Sequence, residues 1–125
     1  MKISRSIWGS VAMVFGLCCA IGAQAQDPVV VDPAHHKVEF ENDQVRVLRV
    51  TFKPGESSQM HSHPCLIAIG VRDSSVIFNF PDGTTRPVSM SPGQVVVAKP
   101  IVHKPENRGE TPSEVIVVEL KSGGC

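Results

Sequence analysis

Short runs in which apolar and polar residues alternate predict that this chain is built of β-strands. β-branched and aromatic residues dominate these runs, and each run ends at a turn rich in Pro, Gly, Asn, Asp or Ser. The predicted strands span residues 29–31, 38–41, 45–52, 66–71, 76–80, 86–90, 94–98 and 114–120. Beyond residue 25, no stretch keeps a 3.6-residue apolar period over three turns. The pattern therefore predicts an all-β fold, an antiparallel sandwich or small barrel.

Two of the predicted turns have the composition of β-hairpins. Asn42 and Asp43 separate the second predicted strand from the third, and Pro81-Asp82-Gly83 separates the fifth from the sixth. A chain of 125 residues with this rhythm and no low-complexity segment corresponds to one domain.

Residues 1–25 have the features of a secretory signal peptide. Lys2 and Arg5 precede an apolar run at 7–21, and Ala23 and Ala25 form a small-x-small cleavage site. The alternative is an uncleaved membrane anchor, but the apolar run is too short, because a helix that spans a bilayer needs about 20 apolar residues. We therefore expect cleavage after Ala25, a folded domain over 26–125, and a periplasmic or secreted protein with no stable membrane span.

Composition excludes some classes of partner. The chain has 12 basic and 12 acidic residues, so it lacks the basic excess that binds nucleic acids or anionic lipids without specificity. After cleavage two cysteines remain, Cys65 and Cys125, in an oxidising compartment. They could pair, but the sequence does not specify a disulfide.

The histidines carry the candidate chemistry. His61 and His63 are two residues apart, so on a strand they point to the same face and suit two ligands of one metal ion. The alternative is a solvated polar strand face. His103, after an apolar predicted strand, is the candidate third ligand. His35 and His36 are adjacent near the start of the mature chain, and we expect them to be exposed to solvent rather than ligating.

Two motifs in this chain resemble those of the cupin superfamily. From Gly55 to Pro64, a glycine stands six residues before a His-x-His pair, and a later Pro-Gly turn precedes a His-x-x-x-Asn segment. The resemblance covers about 39–120 and implies a jelly-roll-like β-barrel or sandwich that holds one divalent ion, Fe, Zn, Mn, Ni or Cu. By position it implies three metal ligands and four structural residues: His61, His63 and His103; Gly55, Pro92, Gly93 and Asn107.

The first motif departs from the cupin pattern at its usual glutamate ligand. Ile67 and Ala68 occupy those positions. If the strand alternation continued from His63, Cys65 and Ile67 would face the cavity with it. Cys65 could then be a thiolate ligand or a small buried residue. Phe78 and Phe80 share one face of a predicted strand. The expected cavity lining is therefore Cys65, Ile67, Phe78 and Phe80.

Two classes of function follow from the resemblance. The first is a metal-dependent enzyme acting on a small molecule; an oxygenase fits better than an isomerase or a hydrolase, because no general base is evident. The chain has no Tyr, so a cysteine–tyrosine crosslink like that of thiol dioxygenases cannot form. The second is a non-catalytic ligand-binding or structural module. The resemblance is also compatible with a homodimer.

Overall fold

The computed structural model describes residues 26–125, so the predicted signal peptide lies outside the described residues. Within these residues, one short helix and nine strands follow one another. They are α1 (Pro28–Val31), β1 (His36–Glu41), β2 (Val45–Phe52), β3 (His61–His63), β4 (Leu66–Gly70), β5 (Ser74–Asn79), β6 (Thr85–Met90), β7 (Val95–Ala98), β8 (Ile101–Glu106) and β9 (Ser113–Leu120).

The strands form two antiparallel sheets, which confirms the predicted all-β sandwich. The larger sheet has the order β1-β2-β9-β4-β7, and the smaller has the order β3-β8-β5-β6. Inward-facing residues of β2, β4 and β9 form the buried core, because alternate side chains of a strand point to one face. The core residues are Leu48, Val50, Phe52, Leu66 and Val117.

Both predicted hairpins form. Asn42 Oδ1 accepts hydrogen bonds from the backbone N–H groups of Gln44 (2.9 Å) and Val45 (2.8 Å), which closes the turn between β1 and β2. Asp82 Oδ1 accepts one from the N–H of Thr84 at 2.9 Å. Gly83 in the same turn has φ +83°, a left-handed conformation that glycine adopts at low cost. The turn residues therefore fix the pairing of the strands that they connect.

The predicted strand at 29–31 is wrong, because this segment is the helix α1. Asp27 caps the helix by accepting a hydrogen bond from the N–H of Val29 at 2.9 Å, and Pro28 occupies the first turn. An Asp cap followed by proline favours a helix start strongly enough to override the strand preference of three valines.

The strand β8 was missed by the pattern. Pro100 and Pro105 flank or interrupt its residues, and proline normally argues against a strand. Within 26–125, no helix has the length and apolar character needed to cross a bilayer.

Candidate metal site and cavity

A cavity of about 420 Å³ lies between the two sheets. Apolar side chains from both sheets make up most of its wall, including Val50, Leu66 and Val117 from the larger sheet. Four histidines lie at its surface: His36, His61, His63 and His103. A cavity of this volume is within the range that holds small molecules.

The three histidines predicted from the motifs are brought together on neighbouring strands. His61 and His63 lie on β3, and His103 lies directly across from His61 on β8. The His61 ring centroid is 4.8 Å from that of His63 and 4.8 Å from that of His103. All three side chains are buried. Period two on β3 and the strand register together account for this grouping.

His36 also belongs to this cluster, so the expectation that it is exposed is wrong. It is 2% exposed, and its ring centroid lies 4.7 Å from that of His61. One ligand nitrogen each from His36, His61 and His63 lie within 4.8 Å of one another. His36 begins β1 opposite Val50, whose side chain faces the interior, and this register turns the imidazole inward.

His35 is largely buried too, but it is not among the residues that line the cavity. Its two ring nitrogens lie 2.7 Å from Asp32 Oδ1 and 3.2 Å from Glu56 Oε2. The ring also stacks on Phe52 with the centroids 4.6 Å apart. His35 belongs to the turn before β1, so its ring takes a direction different from that of His36, the first residue of the strand.

Three of the four imidazoles are oriented through Nδ1. His61 Nδ1 lies 2.8 Å from the carbonyl oxygen of Gln59, and His63 Nδ1 lies 2.6 Å from Glu119 Oε1. His36 Nδ1 lies 3.2 Å from the carbonyl oxygen of Asp32. An ionised carboxylate or a carbonyl only accepts, so each Nδ1 donates. In the neutral rings Nε2 then carries the lone pair, the arrangement typical of metal-binding histidines.

The residues present fit a metal ion. Among the described residues, His61 Nε2 and both ring nitrogens of His103 are buried without a hydrogen-bond partner. Burial lowers the pKa of His61 to about 3 and that of His103 to about 2, and it also lowers the pKa of His36. These three imidazoles are therefore neutral near pH 7, which is the form that binds metals.

A buried carboxylate, Glu119, supports the cluster from β9. It is 2% exposed and bridges His63 and Arg46, whose Nε donates to Oε2 at 2.6 Å. Arg46 Nη1 donates in turn to Asp27 at 2.7 Å. Burial alone would raise the pKa of Glu119, but the hydrogen bonds from His63 and Arg46 bring it below its ordinary value. Glu119 is therefore an ionised acceptor that holds the His63 ring.

Three of the four predicted lining residues lie elsewhere. Residues 61–63 and 66–70 belong to different sheets, separated by Pro64, so the alternation from His63 does not continue into β4. Leu66 and Ala68 line the cavity in place of Cys65 and Ile67. Phe80 lies beyond the end of β5, with the Arg86 guanidinium carbon 5.4 Å from its ring centroid.

Phe78, by contrast, lines the cavity and meets the His103 ring edge-on at a centroid distance of 4.3 Å. Cys65 is fully buried and forms a disulfide with Cys125, with the Cα atoms 5.6 Å apart. The sulfur of a disulfide is not a thiolate, so Cys65 does not act as a thiolate ligand in this state. The pairing that the sequence left open is therefore present.

The motif residues lie at turns that position the site. Gly55 (φ +83°) and Gly93 (φ +75°), which follows Pro92, have left-handed backbones. Asn107 is 1% exposed; its side-chain amide donates to the carbonyl oxygens of Phe52 at 3.0 Å and Thr111 at 2.9 Å. It thereby joins the end of β8 to the end of β2.

Sequence reasoning missed two residues of the site, His36 and Glu119. For Glu119 a signal was available, because it shares strand parity with Val115 and Val117, and an acid on the apolar face of a strand is rarely buried without a partner. His36 had no comparable signal, because its position depends on how the segment from α1 to β1 packs against β3.

Comparison with solved structures identifies the fold. A cupin domain from Bordetella pertussis matches with a TM-score of 0.64 at 19% identity, over 69% of this chain and 91% of that one. A protein with a double-stranded β-helix domain from Klebsiella pneumoniae matches with a TM-score of 0.53 at 22% identity, over 71% of this chain and 78% of that one. The polyketide cyclase RemF from Streptomyces resistomycificus matches with a TM-score of 0.51 at 21% identity, over 69% of this chain and 63% of that one.

No family model matches the chain, and no curated protein matches it at a significant level. At these identities the structural matches establish the fold alone. The protein is thus a two-sheet β-sandwich in which buried histidines surround an interior cavity. The chain has the cupin fold, as its two motifs indicated.

Substitution of Ile67 tests the corrected orientation of β4. Ile67 is not among the cavity-lining residues, so Ile67→Glu is expected to leave metal affinity unchanged within about twofold, as judged by metal titration. Ala68→Glu, one residue along, places its carboxylate in the apolar cavity and should cost roughly 2 kcal/mol or more of unfolding free energy. Tighter metal binding by Ile67→Glu would contradict the orientation seen here.

Proposed function

We propose that this protein binds one divalent transition-metal ion through His36, His61, His63 and His103 and uses it to act on a small molecule in the adjoining cavity. The observation that carries the proposal is the convergence of four buried imidazoles, three of them oriented through Nδ1. Ile67 and Ala68 stand where the cupin pattern has a glutamate, so none of the four proposed ligands is a carboxylate.

An all-imidazole set favours particular metals. Imidazole nitrogen suits Zn, Cu, Fe and Ni, whereas Mn and Mg prefer carboxylate and water oxygens. Of the ions that the motifs imply, Mn is therefore the least suited to this site. When bound, a redox-active ion such as Fe or Cu would supply the activation of dioxygen that an oxygenase needs, whereas Zn would supply only Lewis acidity.

The protein's own groups bind the ligand, orient the imidazoles and exclude water from the cavity. The apolar wall removes a ligand from water, and Glu119 and the Gln59 carbonyl hold two imidazoles in fixed orientations. Within the described chain, no Asp or Glu lines the cavity to act as a general base. An oxygenase-type reaction needs no such base and is the activity that we propose.

A non-catalytic ligand-binding module is the second candidate, and the same lack of a lining carboxylate favours it. RemF, with the same fold, is described as a cyclase, so the architecture is compatible with catalysis. Oxygen uptake by metal-loaded protein, screened against small apolar compounds, separates the two candidates. Ligand binding without turnover would favour the module.

We further propose that the protein is exported and acts in an oxidising compartment, periplasmic or extracellular. The Cys65–Cys125 disulfide supports this location, since disulfides are rare in the cytosol. Mass analysis of native protein should find Gln26 as the first residue. An intact Met1 on cytoplasmic protein would contradict export.

Removal of two ligands from one strand tests the metal site directly. His61→Ala/His63→Ala is expected to weaken binding of Zn or Ni by more than about 100-fold, because even losing a single residue that orients a ligand costs 10–100-fold. The measurement is metal content after purification, followed by titration of the metal-free protein. His35→Ala is the matched control, because His35 does not line the cavity. Equal metal content in the double variant and the unmodified protein would end the metal proposal.

A further inference from the structure

Arg86 is the one charged side chain, apart from histidine, among the described residues that line the cavity. It lies on the edge strand β6 and is exposed, which places it at the cavity mouth. Among the ion pairs formed within residues 26–125, none includes Arg86. Its guanidinium group faces the ring of Phe80 instead. Arg86 thus has charge and donors that no protein carboxylate uses.

The register of the strands places Arg86 close to the histidine cluster. Arg86 pairs with Phe78 across β5 and β6, so the two backbones are about 4.8 Å apart. The Phe78 ring in turn packs edge-on against the His103 ring, with the ring centroids 4.3 Å apart. The Phe78 side chain therefore links the backbone position of Arg86 to the His103 ring, and all three residues line the same cavity.

The electrostatics of the cavity are one-sided. No Asp or Glu is among its described lining residues, and Glu119 is already bound to His63 and Arg46. None of the four proposed ligands is a carboxylate, so the residues that hold a divalent ion would not offset its charge. Both Arg86 and a bound ion therefore attract an anion, while the apolar wall binds an apolar body.

We propose that the ligand of this cavity is a small monocarboxylate with an apolar body. Its carboxylate pairs with Arg86, because the guanidinium fork matches the two oxygens of a carboxylate. Its body lies along Phe78, Val88 and Met90, and its far end faces the histidines. The role of the far end beside a metal rests on the function proposed above, whereas the contact with Arg86 does not.

Calorimetric titration with benzoate and hexanoate, against benzyl alcohol and hexan-1-ol of similar shape, tests this inference. The mature protein is titrated both metal-free and loaded with Zn. Each carboxylate should bind about tenfold or more tightly than its alcohol in both forms, because hydrogen bonds to charged groups are the strong ones. Arg86→Gln should abolish this preference, and Arg86→Lys should retain part of it.

Arg108→Gln is the matched control, since Arg108 is an exposed arginine that does not line the cavity. It should leave the carboxylate preference unchanged. Equal binding of carboxylates and alcohols, or no binding of either, would overturn the inference. So would carboxylate binding that survives Arg86→Gln and disappears on removal of Zn, because the anion would then bind the metal. Failure to take up Zn, with carboxylate binding that depends on Arg86 intact, would contradict only the proposed metal function.

Discussion

Replacing Glu119 with alanine is expected to lower the free energy of unfolding of the metal-free protein by about 3 kcal/mol. The substitution removes the acceptor of two short hydrogen bonds, one from His63 Nδ1 and one from Arg46 Nε, both at 2.6 Å. Arg46 keeps Asp27 as a partner, which limits the loss. The buried Nδ1 of His63 loses its acceptor. Urea denaturation of metal-free protein, with the disulfide intact, measures the change.

The larger sheet offers a matched control for this effect. Glu114 lies on the same strand and also pairs with an arginine of β2, with Arg49 Nη1 to Glu114 Oε1 at 2.6 Å. That pair is on the outer face, where the Arg49 side chain is 38% exposed. Glu114→Ala is therefore expected to cost less than about 1 kcal/mol. Equal losses for the two variants would show that burial of Glu119 does not matter to stability.

The metal-free protein is also expected to lose about 4 kcal/mol of stability between pH 7.5 and pH 5, from His61 and His103 together. Burial brings their folded-state pKa values to about 3 and about 2, below the unfolded value of about 6.5. Below pH 6.5 the unfolded state therefore binds more protons, so stability falls as pH falls. The contribution is fully present above pH 6.5.

Carboxylates do not obscure this pH window. The pKa of Asp27 and that of Glu119 are lowered by folding, so their contribution is lost only as pH falls below about 4.5. Denaturation curves at half-unit steps from pH 7.5 to pH 5 measure the slope. His103→Gln should remove about 2 kcal/mol of the fall, because one of the groups whose pKa is lowered on folding is gone. A flat profile in the unmodified protein would contradict the neutral, buried state of these imidazoles.

Strand content and the core of the site could be predicted from local sequence. Alternation of apolar residues marks β2 and β9, and turn residues such as Asp82 and Gly83 fix a hairpin, because both signals act between neighbours in the chain. The His61–His63 pair follows from the same period of two. Its combination with His103 follows from the resemblance to the cupin motifs.

Other features were decided only when the two sheets packed together. His36 reaches His61 from the first position of β1, and Glu119 reaches His63 across 56 residues of chain. Ile67 faces outward because β3 and β4 lie in different sheets, so strand parity could not be carried across Pro64. The sequence by itself determined which segments are strands and which histidines share a strand face, because these depend on backbone geometry over a few residues. The tertiary structure decided the fourth histidine, the carboxylate behind the site and the arginine at its mouth, because these depend on contacts between segments far apart in the chain.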